Sequence, residues 1–177
     1  MQPIGRRASL LAAALAVAAA GCGRDGPPNA PRARHDETGF SIVPPREWTR
    51  QELDGAGIMG FTGPKVDGFA VHFSVAVQSA GGDDLEQFAR NVNRAQARGL
   101  DDYRLVERGF ATIGGRRWRR LSARFRLGDL PVRDLQYFTI AGDRAFVLRF
   151  AVPARVFRRY RPLLEWCANT ARVDAAP

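Results

Sequence analysis

A chain of 177 residues, 45% hydrophobic and 25% charged, has room for one domain with a single core and not for two comfortable ones. It carries 27 basic against 18 acidic residues, a net charge of +9, and Lys65 is its only lysine. Such a balance favours anionic neighbours such as phospholipid head groups or acidic polymers, while two histidines and two cysteines leave little from which to build a zinc centre.

Arg6 and Arg7 precede an apolar run from Leu10 that ends in Ala19-Ala20-Gly21-Cys22. A basic start, a short apolar stretch and small residues before a cysteine mark an export signal with a lipobox-like end. The run is shorter than the ~20 residues that a permanent span requires. The pattern predicts a signal over residues 1–21 and a diacylated Cys22, which supplies the two chains that stable anchoring takes. The alternative is an ordinary cut near Ala18-Ala19-Ala20, giving a secreted protein without an anchor. Arg6-Arg7 with Ala8-Ser9-Leu10-Leu11 also resembles a twin-arginine export signal. The expected address is the cell envelope, on the outer side of the cytoplasmic membrane or the periplasmic face of an outer membrane, where nucleic acid is not an expected partner. Residues 22–37 have three prolines and no large apolar residue, which predicts a disordered tether ahead of a single domain at 38–177. His35 in that tether has no neighbours that would make it a ligand.

The domain opens with Phe40-Ser41-Ile42-Val43, a short strand stopped by Pro44-Pro45, with Trp48 beyond a turn. Residues 58–62 suggest a second strand closed by Gly63-Pro64. Over 69–77 the alternation is clearer: Phe69, Val71, Phe73, Val75 and Val77 face one way, and Ala70, His72, Ser74 and Ala76 the other. Asp83 with Glu86 makes a capping-box-like start for a helix over 84–98, whose apolar stripe is Leu85, Phe88, Ala89, Val92 and Ala95. Gly99 ends it. Residues 103–152 then read as a four-strand meander with turns at Gly114-Gly115, at 128–131 and at Gly142-Asp143. A two-residue last turn sets Leu135, Tyr137 and Thr139 on one face with Phe146, Leu148 and Phe150. Phe138, Ile140, Val147 and Ala151 make the opposite face apolar as well, so helices are expected on both sides of the sheet. The second helix is the terminal segment bearing Phe157, Tyr160, Leu164, Cys167, Ala168 and Ala171, with Pro162 expected in its first turn and residues 154–159 as a separate turn or kinked start.

Gly39-Phe40-Ser41-Ile42 followed by Pro44 and Trp48, the helix at Leu85-Glu86-Gln87-Phe88, a Gly-centred hairpin, and a last helix after a strand and Pro153 resemble the PsbP-like α/β/α sandwich. That group includes the photosystem extrinsic protein PsbP, the Ran-binding Mog proteins and bacterial envelope lipoproteins of the DcrB and LpqN kind. The resemblance covers residues 38–173. Where the family often has Gly before the tryptophan, this chain has Glu47. The resemblance implies an α+β fold, a mainly antiparallel sheet flanked by one helix from the N-terminal half and one at the C-terminus. It also implies a non-enzymatic binding or assembly accessory, and it brings no functional residue set with it.

Residues 55–60, GAGIMG, fit a dinucleotide fingerprint in letters alone, because Phe61-Thr62-Gly63-Pro64 forbids the helix whose N-terminus would meet the phosphates. They are expected to form a loop, and no cofactor is expected. His72 has no second histidine in the domain to work with, and Cys167 lies on an apolar stripe. Neither a catalytic nor a metal set emerges. The sharpest constellation is Arg116, Trp118, Arg120, Ser122, Arg124 and Arg126, which period two places along one strand face opposite Leu121, Ala123, Phe125 and Leu127. It is either a patch for an anionic partner, with Trp118 at a lipid interface or stacked on arginine, or a solvated face ion-paired with Asp134 and Glu107. The functional expectation is a lipid-anchored envelope module that binds a protein complex, a lipid or an anionic polymer. The rival is an envelope enzyme with an unidentified active site.

Overall fold

Period-two alternation becomes strands along most of the chain, as the computed structural model, which describes residues 31–174, makes plain. In chain order the elements are β1 (Ala33–His35), β2 (Phe40–Ile42), β3 (Thr49–Gln51), β4 (Gly57–Val66), β5 (Phe69–Ser79), α1 (Leu85–Gly99), β6 (Asp101–Ile113), β7 (Arg116–Leu127), β8 (Leu130–Ala141), β9 (Arg144–Pro153), α2 (Phe157–Asn169) and β10 (Arg172–Val173). The main sheet has seven strands in the order β3-β4-β5-β9-β8-β7-β6, every pair antiparallel. A small second sheet, β1-β2-β10, brings the two ends of the domain together.

The α+β sandwich expected from the two apolar faces is the fold observed. Leu135, Tyr137 and Thr139 lie opposite Phe150, Leu148 and Phe146, the register that a two-residue turn dictates. On that face α2 contributes Leu164, Cys167 and Ala168, and β2 contributes Phe40, whose ring stacks on Phe146 at 6.0 Å. On the other face Phe88 and Ala89 of α1 pack on Leu121, Phe138 and Ala145. Burying aromatic side chains of this size is worth roughly 1.5–3 kcal/mol each, which is what draws both helices onto the sheet.

Several boundaries differ from expectation, each for a local reason. The tether expected over 22–37 gives way to structure before its end: β1 pairs with β2, and the Arg32 guanidinium donates to the Thr170 carbonyl at 2.7 Å, so residues 31–37 belong to the domain. Backbone pairing holds this segment, which needs no apolar run. Residues 1–21, Cys22 and the rest of the tether lie outside the described residues. The strand expected at 58–62 runs on through Gly63-Pro64 as β4, because a bulge between Thr62 and Lys65 takes up the proline that cannot donate to the ladder. Gly57 to Gly60 are therefore strand and not loop. The α1 cap is Asp84, which accepts from the Gln87 N–H at 2.7 Å, whereas Asp83 accepts from the Asn91 side chain. Pro162 sits inside a continuous α2 and not in its first turn. Both it and Arg158, the residue whose carbonyl it leaves without an N–H, are exposed, so water replaces the lost bond. Glu47, at the position where PsbP-like chains often carry glycine, has φ 68.

Candidate functional site

β7 alternates as expected, but its two faces are not two environments. Arg116, Trp118, Arg120, Ser122, Arg124 and Arg126 do share the side that α2 covers, and the cover divides the row. At the hairpin end, Arg116 Nε donates to the Val173 carbonyl at 3.1 Å. Trp118, expected at the surface, is 1% exposed, its indole N–H donating to the Ile113 carbonyl at 3.2 Å. Its burial follows from α2 and β10 closing over this end of the sheet, so it cannot serve as an interfacial or arginine-stacking indole. Arg120 pairs with Glu165 of α2 at 3.3 Å. Ser122 is buried, donating to the Asp134 carbonyl and accepting from Arg133 Nε.

The carboxylates also take other positions than expected. Glu107 holds Arg133 of β8 and, at 3.1 Å, Arg161 of α2, and Arg161 holds Glu165 at 2.9 Å. This chain of arginines and glutamates ties α2 to β6, β7 and β8. Asp134 points to the α1 side and is 0% exposed, accepting from the Ala123 N–H, from Gln136 and, at 3.1 Å, from Arg149. Burial pushes its carboxyl up from the usual range while Arg149 and the other donors pull it back. Gln136 exchanges hydrogen bonds with Gln96 of α1, whose amide oxygen also accepts from Tyr103. With both carboxylate oxygens occupied by protein donors, Asp134 clamps β7, β8 and β9 and offers nothing to a solute.

The far end of the row is open. Arg104 of β6, Arg124 of β7 and Arg133 of β8 stand directly opposite one another across three strands, so their side chains leave the same face. Arg133 is satisfied by Glu107 and by the Phe157 ring, 4.2 Å from its guanidinium carbon. Arg104 and Arg124 are exposed and form no ion pair among the described residues. Together with Arg126, Asp102 and Phe125 they line a crevice of about 270 Å³. Arg126 is partly neutralised by Asp129 at 3.2 Å and Asp102 at 4.0 Å. Like charges directly opposite across strands destabilise a sheet, and a bound phosphate or carboxylate would reverse that sign.

Arg124 and Arg126 of the expected patch thus meet in this crevice, Arg116 and Arg120 are committed elsewhere, and Trp118 is core. Arg104 was not legible, because counting back from the Gly114-Gly115 turn pairs Arg124 with Leu105, and the bulge between Leu105 and Glu107 shifts the parity of β6 and brings Arg104 there instead. Arg133 was within reach: a two-residue turn at Gly128-Asp129 places it opposite Arg124. His72 Nδ1 donates to the Ala70 carbonyl at 2.9 Å as a half-buried strand residue. Cys167 is a buried free thiol donating to the Val43 carbonyl, and burial pushes its pKa up, away from nucleophilic use. Among the described residues no group of three His, Cys, Asp or Glu is placed to hold a metal ion.

An antiparallel sheet with one helix on each face and a small sheet joining the chain ends is the PsbP-like fold. Solved structures with this fold include cyanobacterial PsbP (CyanoP) from Synechocystis sp. PCC 6803, with a TM-score of 0.63 and 17% identity over 86% of this chain and 98% of that one. LpqN, described as involved in cell envelope biogenesis of Mycobacterium tuberculosis, gives 0.60 and 12% over 83% and 90%. PA94 from Pseudomonas aeruginosa, a protein of unknown function, gives 0.58 and 14% over 79% and 94%. No family model matches the chain, and no curated protein matches it by sequence.

Proposed function

We propose that the chain is a non-enzymatic accessory module of the cell envelope, anchored to a membrane by lipid on Cys22, and that it engages an anionic partner through the crevice of Arg104, Arg124 and Arg126. The observation that carries this reading is the cross-strand arginine row, in which Arg104 and Arg124 face each other and neither forms an ion pair among the described residues. Two guanidiniums held side by side repel, and an anion between them accepts from both. The lining supplies charge and hydrogen-bond donors and no nucleophile beside a base, which suits binding more than turnover. The envelope address is supported by the leader ending in Gly21-Cys22 and by the description of LpqN.

The test is binding to vesicles of anionic phospholipid, with zwitterionic vesicles as the control. Wild type should bind the anionic vesicles and lose them as salt shortens the screening length toward ~8 Å. Arg104→Gln with Arg124→Gln should lose most of that binding at a melting temperature no lower than that of wild type, since the like-charge repulsion across the strands goes with the charges. Arg120→Gln, on the same strand but already paired with Glu165, should retain it. Equal binding by wild type and the double variant refutes the crevice. A Cys22→Ala chain that stays in the membrane fraction with unchanged mature mass refutes the anchor.

A further inference from the structure

Every open sheet has two edges whose outward backbone N–H and C=O groups lack partners. Here the edges are unlike. β3 is three residues long, too short to template another strand. β6 is thirteen residues long, and no strand of the described chain lies beyond it. Its first half is interrupted by two register shifts, between Asp101 and Arg104 and between Leu105 and Glu107, which bend that half away from regular pairing. Residues 107–113 keep an unbroken register with β7.

The turn decides which groups of this half point outward. Gly114 and Gly115 have φ 59 and 76, the two-residue loop of a tight hairpin, so Ile113 and Arg116 form its closing hydrogen-bonded pair. Alternation along an antiparallel ladder then leaves Arg108, Phe110 and Thr112 with N–H and C=O directed away from β7. All three residues are exposed, and their side chains leave the α1 side of the sheet. Phe110 is 43% exposed, with the Arg117 and Arg119 guanidinium carbons 3.7 and 4.7 Å from its ring centre. Arg119 is held by Glu86 at 3.5 Å, while Arg108 and Arg117 form no ion pair among the described residues.

We infer that the edge at residues 107–113 accepts an extended acidic segment of a partner protein as an added strand, with an acid opposite Arg108, an apolar residue opposite Phe110 and an acid opposite Thr112. Backbone bonds to the outward groups supply affinity and the alternate side chains supply choice. The second acid reaches Arg117, which stands beside Thr112 in the ladder. A second copy of the chain is a poorer occupant. Antiparallel pairing of two such edges gathers Arg108 and Arg117 of both copies on one face, and Glu86, the acid beside them, is already held by Arg119 and Arg90. This surface is distinct from the Arg104–Arg124 crevice and stands or falls without it.

The probe is the peptide Ser-Glu-Ser-Val-Ser-Glu-Ser, read by amide hydrogen exchange in the full chain. Saturating peptide should slow exchange at Arg108, Phe110 and Thr112 by about tenfold or more, and leave Glu107, Gly109 and Ala111, already bonded to β7, unchanged. Methylating the valine amide nitrogen of the peptide should weaken binding by about tenfold, since it removes one strand bond and no charge. Replacing both glutamates with lysine should abolish binding. Phe110→Pro should also lose the peptide, because it removes an outward N–H at an edge where proline is tolerated. Unchanged exchange at the three amides, equal binding by the methylated peptide or equal binding by the lysine peptide each overturns the inference. Protection of the same amides without peptide, rising with protein concentration, overturns it in favour of a second copy.

Discussion

Trp118 and Arg124 share one face of β7 and end in opposite surroundings, one in the core and one in solvent. Parity along a strand is local and follows from the period of the backbone. Which part of a face is covered is settled by α2 and β10, far along the chain. Tyr137 shows the energetic side of that cover. It lies opposite Arg120, is 2% exposed, and burial, reinforced by the nearby Glu165 charge, pushes its phenol from 10.0 up to about 12. The sign is fixed: between pH 10 and 12 the unfolded chain releases a proton that the folded chain keeps. Stability is therefore lost as pH rises through that window, by at most ~3 kcal/mol from this one group. Denaturant midpoints should fall between pH 10 and 12 in wild type and fall visibly less in Tyr137→Phe. An identical fall in both would assign the alkaline loss to other groups, Tyr103 first, which burial also pushes up to about 12.

At the scale of elements, what was legible had a local cause and a repeated signal. The stripe of α1, the β5 alternation and the β8–β9 register all follow from residues within a few positions of one another. The two apolar faces of β8 and β9 announced a helix on each side. Proline misled twice, at Pro64 and Pro162, because it removes a bond locally while the compensation comes from elsewhere: a bulge in β4 and solvent at α2. The bulge has a second support. A Cβ on Gly63 would lie 2.5 Å from the Trp48 ring, and that ring packs 5.9 Å from Phe73, so Gly63 lets the indole lie down on the sheet. Gly63→Ala should cost ~1–3 kcal/mol, the usual penalty of overpacking. In a Trp48→Ala background the same change should cost little, since the clash has been removed. Equal costs in the two backgrounds would place the need for glycine in the bulge itself. The crevice was half legible by the same rule: Arg124 and Arg126 follow from period two, whereas Arg104 depends on a bulge that no periodicity announces.

Over the whole molecule, the two ends of the described chain meet at one end of the sheet and the arginine crevice lies at the other. β2 is flanked by β1 and β10, the Thr170 hydroxyl accepts from the Val43 N–H at 2.8 Å, and the Asp174 N–H donates to the Gly39 carbonyl at 3.0 Å. Arg116, beside this junction, donates to the Val173 carbonyl, and Arg124 stands farther along the same strand, on the order of 25 Å away at ~3.3 Å per residue. The junction of the terminal strands and the arginine crevice are thus separated by most of the length of β7. A chain beginning at Thr38 lacks β1 and the Arg32 bond to Thr170, and exposes one edge of β2 above the buried Phe40 and Ile42. With each lost hydrogen bond worth about 1 kcal/mol net, the truncation should cost ~2–3 kcal/mol relative to a chain beginning at Pro31. In a domain of this size that is a fall in melting temperature of about 5–10 °C. Binding to anionic vesicles should be unchanged below the lower melting temperature, because Arg104 and Arg124 are remote from the deletion. If the shorter chain melts lower and also loses the vesicles while still folded, the terminal sheet and the crevice are coupled along β7 and are not independent.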